Sequence, residues 1–341
     1  MLEGQKVLVV GGTGPTGAPI VRRLVEARSR VTVYHTGLHE AALPDEVQHI
    51  HGDPRSVDDI HQRLGSSQWD VAICTSGRLR LLATELAGKT GRLVGITGQP
   101  VYRGAVRPTP DGTLVVPVPE SAERQSDAEN YTGRVAIGED QVLEQHQRGD
   151  FEGVVVRYPG VYGENGHLNH EWAIVKRVLD GRARMAMPDG GATYFQRGYA
   201  ENLALLVCLA ATRNEAAGQV FNAGDERVMN ARHVAQVILD ELGYEMDLVD
   251  IPSRFVPGSY PLAQKSSIVL DMFKARQLLG YRDVVDVEEA TRRTARWLAN
   301  NAELGRGSSP AFAGSLSYDD EDRILDWYVA ATASPPSPES S

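Results

Sequence analysis

Lys6-Val7-Leu8-Val9-Val10-Gly11-Gly12-Thr13-Gly14-Pro15-Thr16-Gly17 is the stretch whose reading decides the fold. Four consecutive apolar residues read as a buried strand, and the glycines that follow read as a tight turn into a helix. The helix continues through Ala18 to Ala27, with Ile20, Val21, Leu24 and Val25 at helical spacing. Glycines at 11, 14 and 17 permit the turn, let backbone approach a pyrophosphate, and let the helix pack closely on the strand. Phosphates would rest on free N–H groups at the helix N-terminus, where the helix dipole favours negative charge. The bland alternative is a strand-to-helix turn that holds no ligand. A phosphate loop of the nucleotide triphosphatase type is excluded, because Ala18-Pro19 stands where Lys and Ser/Thr are required.

The rest of the chain repeats the same rhythm. Strands are expected at Arg30 to Tyr34, Val47 to Ile50, Asp70 to Cys74, Arg92 to Thr97 and Gly153 to Arg157. Helices are expected at Val57 to Leu64, Leu79 to Ala87 and Asp127 to His146. Alternation of this kind implies an α/β fold, a Rossmann-type doubly wound parallel sheet with its ligand crevice at the strand C-termini. Residues 1–158 are therefore read as a dinucleotide-binding domain. From Pro159 the elements shorten and Gly- and Pro-rich loops lengthen, so 159–303 reads as a smaller substrate-binding lobe, some of whose elements return to the core. Helices are expected there at Trp172 to Leu179, Ala200 to Ala211, Ala231 to Leu242 (capped by Asn230) and Glu288 to Asn300. Residues 304–341 read as an acidic, Ser- and Pro-rich tail, with a short amphipathic helix at Asp319 to Val329 and the run Asp319 to Asp322 as a solvated face.

Composition narrows the partners. A formal charge of −10, with no basic tract, argues against nucleic acid. No run approaches the roughly 18 apolar residues of a membrane span, and the first strand begins too early for a secretory leader, so a cytoplasmic location is expected. Cys74 and Cys208 read as small core residues rather than a disulfide or a nucleophile.

Taken in order, further motifs accumulate: His51-Gly52-Asp53, Val101-Tyr102, Tyr131 with Glu139 eight residues on, Arg157-Tyr158-Pro159-Gly160-Val161-Tyr162-Gly163, Asn222-Ala223-Gly224 and Leu279-Gly280-Tyr281. With the glycine loop they make the chain resemble the extended short-chain dehydrogenase/reductases, the NAD-dependent epimerase/dehydratase family, over most of residues 5–300. The resemblance implies a Tyr that exchanges a proton with substrate, a Lys four residues on that lowers its pKa, and a Ser or Thr after the fifth strand. Tyr131 matches the Tyr. Val135 stands at the Lys position, with Arg134 the nearest cation on the same helix face, and Gly98 at the Ser position, with Thr97 beside it. The expected catalytic set is thus Tyr131, Thr97 and Arg134.

Gly11, Thr13, Gly14, Pro15, Thr16, Gly17, His35, Thr36, Asp53, Thr75 and Tyr158 are expected to hold the cofactor. The second strand ends Tyr34-His35-Thr36-Gly37, with neither the carboxylate that selects NAD nor a cation for a 2′-phosphate, which leans the expectation slightly to NADP over NAD. Asp53 matches an adenine-contacting residue and is equally a good turn residue before Pro54. Gln99, Tyr102, His167, Tyr194 and Arg197 are the substrate-side candidates, with a medium-sized oxygenated molecule as substrate and a homodimer as a family expectation. His167 and His170 have the spacing of a metal pair, but no further ligand cluster supports one, so no metal is expected. Three activities stay open: an NAD(P)-dependent reductase or epimerase, a non-redox isomerase, lyase or cyclase, and a dinucleotide-sensing regulator.

Overall fold

Glycine at position 17 is required by packing. A Cβ there would lie 2.5 Å from the carbonyl carbon of Gly12, a separation that only hydrogen allows. This contact brings helix α1 (Gly17–Glu26) against strand β1 (Lys6–Val10). The computed structural model describes residues 2–38, 40–75, 78–105, 114–125, 127, 129–166, 170–258, 260, 262–263, 267–303 and 317–333.

The chain divides into two units. The first combines Met1–Gly166, Gln196–Arg227 and Ile268–Val287. Its parallel sheet takes β2 (Arg30–His35), β3 (Gln48–His51), β4 (Trp69–Cys74), β5 (Thr90–Gly98), β6 (Glu152–Tyr158) and β10 (Val220–Asn222). With β1 these run in the order β10-β6-β5-β4-β1-β2-β3. Strand order reverses at β1, the switch point at which doubly wound sheets bind ligands beyond the strand C-termini. Strand periodicity explains the two cores: Val7 and Val9 point to the α1 face, Leu8 and Val10 to the opposite one. On the first face the apolar residues of α1 and α6 (Ala200–Thr212) meet the sheet, and Ala275 and Leu279 add to them from in and beside α8 (Phe273–Leu278). On the second lie α2 (Val57–Leu64), α3 (Leu79–Glu85) and α4 (Tyr131–Arg148). A short pair, β7 (Gly160–Tyr162) with β9 (Arg197–Tyr199), completes the unit.

Helix α4 begins four residues later than the periodicity suggested. Asn130 is its cap, accepting from the Gly133 N–H at 2.7 Å, and Gly149 ends it in the left-handed region at φ 81°. Tyr131 thereby becomes the first helical residue.

The second unit combines His167–Phe195, Val228–Ser267 and Glu288–Ser341. It holds α5 (Glu171–Leu179), β8 (Arg184–Pro188) parallel to β11 (Asp247–Ile251), α7 (Ala231–Glu241), almost all of α9 (Val287–Asn300) and α10 (Tyr318–Thr332). The Asn230 cap of α7 is observed, accepting from His233 N–H at 2.8 Å. The chain returns to the first unit after Phe195, because β10 pairs with β6 and α6 packs on α1, which carries 196–227 there.

The C-terminal acidic run departs furthest from expectation. Glu321 is fully buried, not solvated. Its Oε2 accepts from Arg177 Nη2 at 2.9 Å and Nε at 3.2 Å, and its Oε1 accepts from the Ala186 N–H at 3.0 Å and the Tyr260 hydroxyl at 2.7 Å. Asp322 is held by both terminal nitrogens of Arg182, at 2.9 and 2.6 Å. A carboxylate with four donors compensates the cost of removing it from water, whereas a buried charge left alone would not. Burial works against the charge on Arg177, but Tyr260 and Glu321 together hold its pKa above the ordinary value. Removing one partner of a buried pair typically costs about 3–5 kcal/mol. Glu321→Ala is therefore expected to shift the urea-unfolding midpoint down strongly, while Asp319→Ala, on the exposed side of the same helix turn, leaves it nearly unchanged; similar midpoints for the two variants would contradict the role of Glu321.

Candidate functional site

At the C-terminal end of β1 the chain turns through Gly11, at φ 97°, whose N–H donates to Tyr34 O at 2.9 Å. Gly12 sits under Val33, where a Cβ would come within 2.8 Å of a valine methyl. Gly14 faces open space, with nothing within 4 Å of where its Cβ would be. Thr13 donates through its hydroxyl to Gly11 O at 3.3 Å, and the Gly14 carbonyl accepts from the N–H groups of Gly17 and Ala18 at 3.0 and 3.3 Å. Thr16 occupies the N-cap position of α1 without using its side chain as a cap, and the first turn carries no acidic residue. By contrast α2, α4, α7 and α10 are all capped by Ser or Asn side chains. The first turn of α1 carries no side-chain cap and no carboxylate, and although the Gly17 and Ala18 N–H groups are taken by the Gly14 carbonyl and Pro19 has none, the helix dipole and the open approach at Gly14 favour an anion there.

Around the loop, Thr75 donates to Val10 O at 2.9 Å, and the Tyr158 hydroxyl is buried near Thr16, with burial raising its pKa. His35 is buried at the end of β2; desolvation lowers its pKa. The Thr36 hydroxyl accepts from Leu38 N–H at 3.4 Å. Asp53 Oδ1 accepts from Arg55 N–H at 2.9 Å, the geometry of a turn residue. Gly11 to Gly17, Thr75 and Tyr158 are thus brought together around the end of β1, while Asp53 stands exposed after β3 with one oxygen already used.

The three catalytic candidates have different surroundings. Tyr131 is 70% exposed. The guanidinium of Arg134 turns back to the Glu129 carbonyl in front of its own helix. Thr97 donates its hydroxyl to Glu139 Oε1 at 2.7 Å, so its proton is committed to a carboxylate. Glu139 is fully buried and also takes a two-pronged bond from Arg157, Nε to Oε1 at 3.0 Å and Nη2 to Oε2 at 2.7 Å, and one from Arg124 at 3.1 Å. Burial opposes the charge of Arg157, yet its bonds to Glu139 prevail and raise its pKa. The arginine also lies over the Tyr102 ring, 4.8 Å from its centroid.

Tyr102 departs from its expected place in a substrate pocket. It is wholly buried and its hydroxyl donates to Asn222 Oδ1 at 2.5 Å, which leaves it no free polar atom. Arg197 is also buried, its guanidinium 4.3 Å from the Tyr162 ring centroid. Gln99 keeps a buried Oε1 that no donor reaches among the described residues. Tyr194 belongs to the second unit and is 44% exposed. His167 lies outside the described residues.

Sequence reasoning missed one polar network in the first unit. Asp225, buried, accepts from the Tyr162 hydroxyl at 2.7 Å, the Tyr199 N–H at 3.0 Å and Asn202 Nδ2 at 3.1 Å. Nearby, Asp283 accepts from the Tyr281 hydroxyl at 2.7 Å and the Glu226 N–H at 2.9 Å. These residues are scattered in sequence, and only the tyrosines in Val161-Tyr162-Gly163 and Gly280-Tyr281 gave a signal. A cavity of about 330 Å³ lined by Leu2, Arg23, Leu24 and Cys208 lies toward the opposite end of β1 from the glycine loop. Among the described residues no helix is long and apolar enough to cross a membrane.

No family model matches the sequence. The uncharacterized protein y4nL of Sinorhizobium fredii is 24% identical over 216 residues, which cover 54% of this chain and 60% of that protein. The uncharacterized protein YbjS of Escherichia coli is 24% identical over 143 residues, covering 35% and 42%. The chain thus spans less than two thirds of the length of these curated relatives. Among solved structures, an epimerase from Methanothermobacter thermautotrophicus superposes with a TM-score of 0.71 at 17% identity, over 90% of this chain and 96% of that one. A UDP-glucose 4-epimerase from Thermotoga maritima, in complex with UDP-glucose, gives 0.70 at 16% identity, over 87% and 99%. A dTDP-glucose 4,6-dehydratase from Bacillus anthracis, in complex with NAD, gives 0.68 at 13% identity, over 88% and 98%. The chain has the fold of the NAD-dependent epimerases and dehydratases, the extended short-chain dehydrogenase/reductase fold. The neighbours described with a nicotinamide cofactor hold NAD, which lends no support to a leaning towards NADP.

Burial, followed by the charge of Asp225, raises the Asp283 carboxyl to about 7, against roughly 3.9 in an unfolded chain. Between about pH 4 and 7 the folded state then binds the extra proton, so this group's contribution to stability falls as pH rises through that window. Asp283→Asn is expected to flatten the fall: the melting-temperature difference between variant and parent should move in the variant's favour from pH 4.5 to 7.5. Parallel curves would show that Asp283 does not titrate there.

Proposed function

We propose that this protein binds a nicotinamide dinucleotide, NAD(H) in the first instance, on the Gly11 to Gly17 loop and acts as an oxidoreductase or epimerase on a medium-sized oxygenated small molecule. The observation that carries the reading is the pairing of Gly14, which opens to free space, with Gly17, which has no room for a Cβ. One glycine leaves space for a ligand and the other sets the turn that faces it. When bound, the nicotinamide supplies the hydride acceptor or donor. The NAD held by structural neighbours such as the dehydratase of Bacillus anthracis supports NAD(H) as the first ligand to try.

Tyr131 is the proton-transferring residue in this reading. Its exposure leaves the hydroxyl accessible to a substrate oxygen. Arg157 and Thr97 act behind the sheet end, through Glu139, by fixing α4 against β5 and β6. A second reading, a dinucleotide-responsive regulator, is favoured by two observations: Thr97 is committed to Glu139, and Arg134 is turned to Glu129. It shares the loop and differs in having no turnover.

The loop is tested by paired variants. Gly14→Ala should leave the melting temperature almost unchanged and weaken NAD(H) binding in calorimetry by about tenfold or more, since its methyl enters the ligand's space. Gly17→Ala should lower the melting temperature itself, because its methyl meets backbone. Unaltered affinity in Gly14→Ala, or no saturable binding of NAD(H) or NADP(H) to the parent, would overturn the reading. Tyr131→Phe should reduce turnover of a nucleotide-sugar or similar substrate by about 10²-fold or more; retained binding without any turnover in the parent would favour the regulator.

A further inference from the structure

A cluster of imidazoles stands at the end of β2, and it includes His35, which is also among the residues expected to hold the cofactor. Strands β2 and β3 are parallel neighbours in which His35 pairs with His51 and Val33 with His49. Side chains two residues apart on a strand share a face, and paired residues of adjacent strands do too. His35, His49 and His51 therefore project from one face of the sheet, at its edge, since β3 is the last strand.

The rings converge. His35 Nε2 lies 3.0 Å from His49 Nδ1, and His51 Nε2 lies 3.5 Å from Glu40 Oε1. Ring centroids are 5.2, 4.8 and 6.3 Å apart, with interplanar angles of 66–78°, so the rings meet edge-on. One donor atom from each of the four residues can be chosen so that all lie within 4.8 Å of one another. Zinc–nitrogen bonds of about 2.0–2.1 Å in a tetrahedron place donor atoms about 3.3 Å apart. The two short edges already bracket that spacing.

We propose that His35, His49, His51 and Glu40 form a binding site for a divalent first-row transition metal, with zinc as the first probe. The donor set argues for this class. Three imidazoles and one carboxylate suit zinc, nickel, cobalt or copper, whereas calcium and magnesium require oxygen ligands. Burial sorts the ligands by role: His35 is buried and anchors the site, while His49, His51 and Glu40 are exposed and leave an approach for the ion. Two local hydrogen bonds must change, the first being the 3.0 Å bond between His35 Nε2 and His49 Nδ1, which gives way to the ion. His35 Nδ1 now accepts from the Gly37 N–H at 3.3 Å, so a neutral ring carries its proton on Nε2. Coordination through Nε2 moves that proton to Nδ1 and releases the Gly37 N–H. The bond to the Gly37 N–H is long, and Gly37 stands at φ 75°. Every donor comes from β2, β3 and the segment between them, so the site does not depend on the dinucleotide reading.

Tag-free protein titrated with zinc alone in a calorimeter should bind one equivalent, and zinc should raise its melting temperature. His49→Ala and His51→Ala, both on exposed residues, should each weaken zinc binding by about tenfold or more while folding as the parent does by circular dichroism. His61→Ala, which removes a histidine paired with Glu85 elsewhere, should leave affinity unchanged. Cobalt should give the visible absorption of a low-coordinate histidine site in the parent and lose it in the His49→Ala/His51→Ala double variant. Absence of saturable zinc binding, or binding retained in the double variant, would overturn the proposal.

Discussion

The close approach of Gly12 and Gly17 is the constraint on which the first unit depends. It allows α1 to leave β1 at once and lie on the sheet, burying Ile20, Val21 and Leu24 against Val7, Val9, Val31 and Val33. The same turn sets the N-terminus of α1 at the C-terminal end of β1, where the order of strands reverses. Packing and ligand geometry are thus set by one backbone contact, and neither tolerates a side chain at position 17.

Buried charge does the corresponding work elsewhere in each unit. Glu139 ties α4 to β5 and β6 through Thr97 and Arg157, and Glu321 ties α10 to α5 and β8 through Arg177 and the Ala186 N–H. Each carboxylate has three or more donors, the condition under which a charge survives without water. Such networks impose register: moving either helix by one turn would leave an arginine and a carboxylate unpaired in an apolar surrounding.

Thr97, Arg157 and Glu139 hold the C-terminal end of the first unit's sheet to α4. With Gly98 at the Ser position and Val135 at the Lys position, Thr97 is free to serve Glu139, and no ammonium stands beside Tyr131 on its helix. The glycine loop is open at Gly14 and closed by backbone at Gly17. At the end of β2, where a carboxylate would select the ribose, the chain places His35 in a group of imidazoles.

Much of the architecture was legible in the residues. Apolar runs and helical periodicity located the six main strands and most helices, because a sheet covered on both faces buries successive residues of each strand while each helix buries one face. The glycine loop was legible for the same reason: its backbone geometry excludes other residues. Local signals could not show that β10 returns to β6, that Glu321 is buried within an acidic run, or that Tyr102 has no exposed atom, since each depends on partners 60 to 140 residues away. His35 and His51 likewise read as loop neighbours of strands until the parallel register set them opposite each other. The sequence by itself determined the dinucleotide-shaped turn, because one backbone contact needs glycine; only the tertiary structure decided which polar groups are buried in pairs and which converge, because burial and convergence belong to the packing of distant segments.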